Sequence, residues 1–72
     1  MKKIEKVIIT PLRMGRVKST GEIRAIECNV VVEWNSGKKD HHHINTKEKG
    51  IYAAYQFGAE LVLQNQKERG VA

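Results

Sequence analysis

Residues 22–34, EIRAIECNVVVEW, decide the fold. From Ile26 onward every second position is apolar: Ile26, Cys28, Val30, Val32 and Trp34 alternate with Glu27, Asn29, Val31 and Glu33. A period of two places one set on each face of a β-strand, so one face is dry and the other wet. Upstream the parity reverses, because Ile23 and Ala25 are the apolar positions there. A β-bulge near Ala25 and Ile26 reconciles the two halves, since one extra residue flips every side chain beyond it.

The next eleven residues, NSGKKDHHHIN (35–45), supply the partner strand. Asn35-Ser36-Gly37 reads as a three-residue hairpin loop with glycine in the left-handed position. That loop pairs Glu33 with Lys39, Val30 with His42 and Cys28 with Ile44. A register one residue away sets Glu33 against Asp40, two like charges, and is disfavoured. The returning strand is therefore Lys38 to Asn45.

Toward the N-terminus, Lys3 to Thr10 is rich in β-branched residues and reads as a further strand, stopped by Pro11. Leu12 to Gly21 reads as a glycine-punctuated connection, and a short fourth strand at Arg16-Val17-Lys18 is the alternative for its middle. After the hairpin, Asn45 or Thr46 is placed to cap a helix that runs to about Lys67. Glu48 falls near its start, Lys67 and Arg69 near its end, and Gly70 serves as the stop. The expected class is α+β, in the order β-β-β-α. One antiparallel sheet of three strands, or four with the short one, is covered on one face by the C-terminal helix. Nothing in residues 1–72 marks a linker or a repeat, so a single domain is expected.

At 3.6 residues per turn, Ile51, Ala54, Tyr55, Gly58, Leu61 and Val62 form a core stripe. Tyr52, Ala59 and Leu63 flank it on one side, Ala53 and Phe57 on the other. This arc is wider than one small sheet needs. Surplus apolar surface on so short a chain points to a homodimer, with Tyr52, Phe57 and Leu63 as its interface.

With 72 residues the chain has room for one small core and no more. A single cysteine, Cys28, excludes an internal disulfide and with it the disulfide-stapled secreted class. The apolar run after the charged start is only Val7-Ile8-Ile9, so neither a signal peptide nor a membrane span is read, and a cytoplasmic location is expected. Thirteen Lys and Arg against eight Asp and Glu give a net charge of +5. That balance favours a polyanionic partner, either nucleic acid or an acidic protein surface.

Catalytic chemistry is not signalled. Cys28 lies on the apolar face of the longest strand and reads as a core thiol rather than a nucleophile. The glycines match no phosphate-binding loop, and no paired carboxylates stand at catalytic spacing. In a strand, His41 and His43 share one face while Asp40 and His42 share the other. Two histidines fall short of the three or four ligands a zinc site needs, so no metal and no cofactor are expected. The basic residues are the better candidates. Arg13, Arg16 and Lys18 crowd the connection, Lys38 and Lys39 sit at the hairpin turn, and Lys47 sits near the helix start. Gathered at one end of the sheet, they would form a surface that tracks phosphates. The connection is the expected binding element, because Arg13, Arg16 and Lys18 are uninterrupted by any carboxylate between Glu5 and Glu22.

In outline, the β-β-β-α order of Glu22 to Leu63, with Thr46-Lys47-Glu48 opening the helix, resembles the three-stranded DNA-binding domains of the phage-integrase arm-binding type. The likeness implies a sheet laid in the major groove. The positions that such sheets fill with basic and aromatic residues are here Glu27, Asn29, Val31 and Glu33. In size and style the chain is also similar to phage-encoded inhibitor proteins, including anti-CRISPR proteins. The expected function is a small, non-enzymatic nucleic-acid-binding module or accessory regulator acting through a basic loop. The alternative is a protein-interaction module, such as a phage-type inhibitor of a larger host complex.

Overall fold

A computed structural model describes residues 2–70. It contains a three-stranded antiparallel sheet in the order β1-β2-β3, with β1 at Ile4–Arg16, β2 at Ile23–Trp34 and β3 at Lys39–Asn45. One helix, α1, follows at Ile51–Glu68. This is the expected β-β-β-α arrangement, with three strands rather than four.

The β2–β3 hairpin has the register read from charge and parity: Glu33 opposes Lys39, Val30 opposes His42 and Cys28 opposes Ile44. Gly37 turns the chain at φ 90°, a left-handed conformation that a side chain at Cβ opposes. The bulge is also present. Against β1, Arg13 pairs with Glu27 but Met14 pairs with Ala25, so Ile26 is the extra residue. Its insertion turns Ala25 to the helix side, where it is buried with Cys28, Val30 and Val32.

β1 departs from expectation. Pro11 does not end the strand; it pairs with Cys28, and the strand continues to Arg16. The physical reason is its place at the sheet edge, where a residue without an N–H need break no ladder bond. A second bulge, at Leu12, follows at once. Residues 12–16 are therefore strand, and the true turn is short. It is closed by Val17 N–H donating to the Glu22 carbonyl at 2.7 Å and Gly21 N–H donating to the Val17 carbonyl at 2.7 Å. Because β3 reaches only as far as Glu27, the segment of β1 and β2 beyond it projects as a two-stranded arm.

The helix starts later than the cap residues suggested. Gly50, at φ 68°, is the cap, and residues 47–50 form a turn before it. Thr46 is fully buried and bonds instead to the sheet. Its hydroxyl donates to the Ala25 carbonyl at 2.7 Å, and its N–H donates to the Ile26 carbonyl at 2.9 Å. With that proton committed, the Cys28 thiol 3.6 Å away is left to donate to Thr46 Oγ1. Glu48 thus lies outside the helix, whereas Lys67 is in its last turn and Gly70 follows the end.

The buried line of α1 is Ala54, Gly58 and Asn65, with Ile51, Phe57 and Leu61 packed beside it. Gly58 allows the helix to lie close on β1: a Cβ there would stand 3.0 Å from Val7. Phe57 lies on the β3 side, its ring edge-on to His42 at 5.2 Å. Tyr55, expected in the core stripe, is exposed. The stripe is rotated because Asn65, a polar residue, closes it. Its amide accepts the Ile4 N–H at 3.1 Å and donates to the Lys2 carbonyl at 3.0 Å, so the helix holds the start of β1 through hydrogen bonds. Among the described residues no helix is long and apolar enough to cross a membrane.

Replacing the buried Thr46 hydroxyl by a methyl removes its bond to the Ala25 carbonyl and leaves the Cys28 thiol without its acceptor. Thr46→Val is expected to lower stability by about 1–3 kcal/mol in urea denaturation, while Thr46→Ser keeps the hydroxyl and loses less. An unchanged midpoint for Thr46→Val would show that the bond does not anchor the turn.

Candidate functional site

The projecting arm and the turn ahead of the helix face each other across an open cleft of about 850 Å³. Gly15, Val17 and Ile26 supply its strand wall, and a Cβ on Gly15 would press on the Ile26 side chain at 3.0 Å. Four cations line it: Arg16 and Lys18 from β1 and its turn, Arg24 from β2, and Lys47 from the turn before the helix. One carboxylate residue, Glu48, joins them. Lys49 lines a shallower depression beside it with Asn45, Lys47, Glu48 and Ala53.

Arg24 holds the two walls together. One Nη donates to the Glu48 backbone carbonyl, and the other lies 3.1 Å from the Glu22 carboxylate. Its Nε–H is buried without an acceptor. A guanidinium in this position is a strut between the walls, with one buried donor left unpaired. Arg16 is steadied by a longer contact of 3.4 Å from its Nη1 to the Gly21 carbonyl, while Lys18 and Lys47 are exposed. Asn45 fixes the entry to the turn by accepting the Lys47 N–H at 2.9 Å. The result is a cleft in which four cations outnumber the carboxylate of Glu48, suited to hold phosphate or carboxylate groups.

Of the six basic residues singled out from sequence, the cleft gathers Arg16, Lys18 and Lys47. Arg13 lies on the exposed edge strand between two register shifts, opposite Glu27. Lys38 and Lys39 are not brought to this end. They follow the turn at the far end of β2, a strand of twelve residues that spans about 40 Å at the usual rise per residue. Lys39 there lies 3.9 Å from Glu33. The expectation of one shared basic end is corrected to two separate ends. Arg24 was missed, because its strand parity is ambiguous and Glu22 and Glu27 surround it. The signal that finds it is the register of the β1–β2 hairpin, which sets Arg24 opposite Gly15 beside Arg16.

The histidine run is divided as strand geometry requires. His42 is half-buried against Phe57, His41 and His43 are exposed, and His43 Nε2 lies 3.8 Å from the Glu27 carboxylate. Asp40 accepts the Trp34 indole N–H at 2.7 Å. Among the described residues no group of three or more His, Cys, Asp or Glu converges on one point. Cys28 is fully buried.

Because Arg24 ties the helix-entry turn to the arm, Arg24→Leu is expected to cost about 1–2 kcal/mol. Amide exchange at residues 47–50 should quicken while exchange in the centre of β2 stays slow. Uniform quickening across the sheet would show that Arg24 supports the whole fold rather than the cleft.

Compared with protein-family models, with curated proteins and with solved structures, the chain matches none.

Proposed function

We propose that this protein is a small binding module that grips a polyanion, nucleic acid in the first instance, with the cleft between its arm and its helix-entry turn. The observation that carries the reading is the convergence of Arg16, Lys18, Arg24 and Lys47 on one open cavity from three separate stretches of chain. Cations of one sign around a recess raise the local concentration of anions, and arginine adds oriented, paired hydrogen bonds to phosphate. The reading is one of binding rather than catalysis. Phosphate contacts of this kind position a nucleic acid without reading its sequence.

A protein-interaction module is the second reading, and one observation favours it. Leu12, Met14 and Ile23 are exposed large apolar residues on the same arm as the cations. An acidic protein surface with an apolar centre would use both. The two readings part on salt: phosphate binding weakens steeply as salt rises, and a dry-centred protein interface does not.

Titration of a fluorescent oligonucleotide at several salt concentrations tests the proposal. Replacing Arg16, Lys18 and Lys47 together with alanine removes three charges from exposed positions, so the fold should survive. Affinity should fall, and the log–log salt slope should shrink by roughly 2–3 units. The double variant Lys38→Ala/Lys39→Ala, at the far end of β2, should keep more of both. Equal losses in the two variants would show a diffuse charge effect rather than a site.

A further inference from the structure

The accessible surface is 5338 Å², while a compact chain of 8.2 kDa exposes about 4,500 Å². The excess is roughly 800 Å². The chain is also extended, with a radius of gyration of 14.2 Å against about 11 Å for a compact domain of this length. Burial confirms where the shortfall lies. Among the described residues the buried apolar core is Ala25, Cys28, Val30, Val32 and Ala54, none larger than valine. The large apolar side chains stand outside them.

Part of that surplus, Ile8 and Tyr55, lies along one margin. β1 is an edge strand, and from Lys6 to Thr10 its outer side pairs with no strand among the described residues. Beside it lies a groove of about 510 Å³ lined by Val7, Ile8 and Ile9 from β1 and by Tyr55, Ala59 and Val62 from α1. Tyr55 is 57% exposed and Ile8 36%. An uncovered edge of β-branched residues is a template for another strand, and this one carries Glu5 and Lys6 as its blunting charges before Pro11.

We infer that β1 pairs antiparallel with β1 of a second copy about a two-fold axis at Ile8, joining the sheets into one of six strands. The residues of the edge single out that partner. Val7 packs on the helix side and Ile8 faces away from it, so only residues of the same face can oppose each other. Centring on Ile8 sets Ile8 against itself, Val7 against Ile9 twice, and Lys6 against Thr10. Every central pair is β-branched, the pairing that stabilises sheets most readily. Shifting the axis to Val7 opposes Glu5 to Ile9 and Lys6 to Ile8. Shifting it to Ile9 brings Pro11 and the bulged Leu12 into the ladder. The Ile8 register also sets the two grooves side by side across the axis, so each helix flank of Tyr55, Ala59 and Val62 covers apolar surface of the other copy. This relocates the dimer from the helix alone, where Phe57 is already engaged with His42, to the edge strand and the flank beside it.

Light scattering on the purified full chain should report twice 8.2 kDa, with little change as salt rises. Ile8→Lys places two like charges together at the axis and should halve the mass at the same concentration, with the circular dichroism of the parent. Directly opposed strand residues lie about 4.5–5.5 Å apart between Cα atoms, within the reach of a disulfide. Ile8→Cys should therefore cross-link into a dimer on mild oxidation, since buried Cys28 does not compete. His41→Cys, on the other sheet edge, should not. A monomer at every concentration overturns the inference and leaves the edge to a strand of some other protein. A dimer that cross-links through His41→Cys, or not through Ile8→Cys, overturns the edge assignment. Loss of dimer with oligonucleotide binding intact would leave the cleft standing, so the two proposals fail separately.

Discussion

Every other element of this protein hangs on β2. It is the one strand with a ladder on both sides, and it supplies four of the five buried core residues. Its alternation puts Cys28, Val30 and Val32 under the helix and Asn29 and Val31 on the open face. The bulge at Ile26 then keeps Ala25 on the buried side, although it lies an odd number of residues away. Without that inserted residue the arm beyond β3 would present its opposite face, and the cleft would not exist.

A core of residues no larger than valine stabilises little by area alone. Buried hydrogen bonds supplement it at both ends of the helix. Thr46 ties the helix entry to the bulge, through the carbonyls of Ala25 and Ile26. Asn65 ties the last turns to the start of β1. These bonds are worth having because the alternative, an unpaired polar group away from water, costs more than the bond itself returns. They also shape the cleft. Thr46 and Arg24 together hold residues 47–50 against the arm, so Lys47 lines the same cleft as Arg16 and Lys18.

The cleft and the open edge of β1 occupy different places. The cations gather at the arm end of the sheet, whereas the uncovered β-branched residues run along the edge of β1. In the six-stranded arrangement the arms of the two copies point in opposite directions, because β1 is antiparallel to its mate. Two basic clefts would then lie at the two ends of one continuous sheet. A polyanion long enough to reach both would gain from effective concentration without any new contact.

The hairpin register of β2 and β3 and the bulge were legible from residues 22–45, because parity and like-charge avoidance leave one pairing for that stretch. The length of β1 was not legible. Pro11 is a strand breaker in the interior of a sheet and harmless on an edge, and which strand lies at the edge is settled only when the sheet assembles. The site depended on that difference. With residues 12–16 read as a loop, Arg13, Arg16 and Lys18 formed a cluster by proximity in sequence. As a strand, the same segment brings Arg24 beside Arg16 and sends Arg13 to the outer margin. Likewise the helical period located an apolar stripe, but its rotation toward Asn65 came from hydrogen bonds to residues more than sixty positions away. The sequence by itself determined what is local: the alternation, the turn, the charge balance. Only the tertiary structure decided which cations share a cavity and which edge stays open, because both depend on groups distant in sequence that meet when the chain has folded.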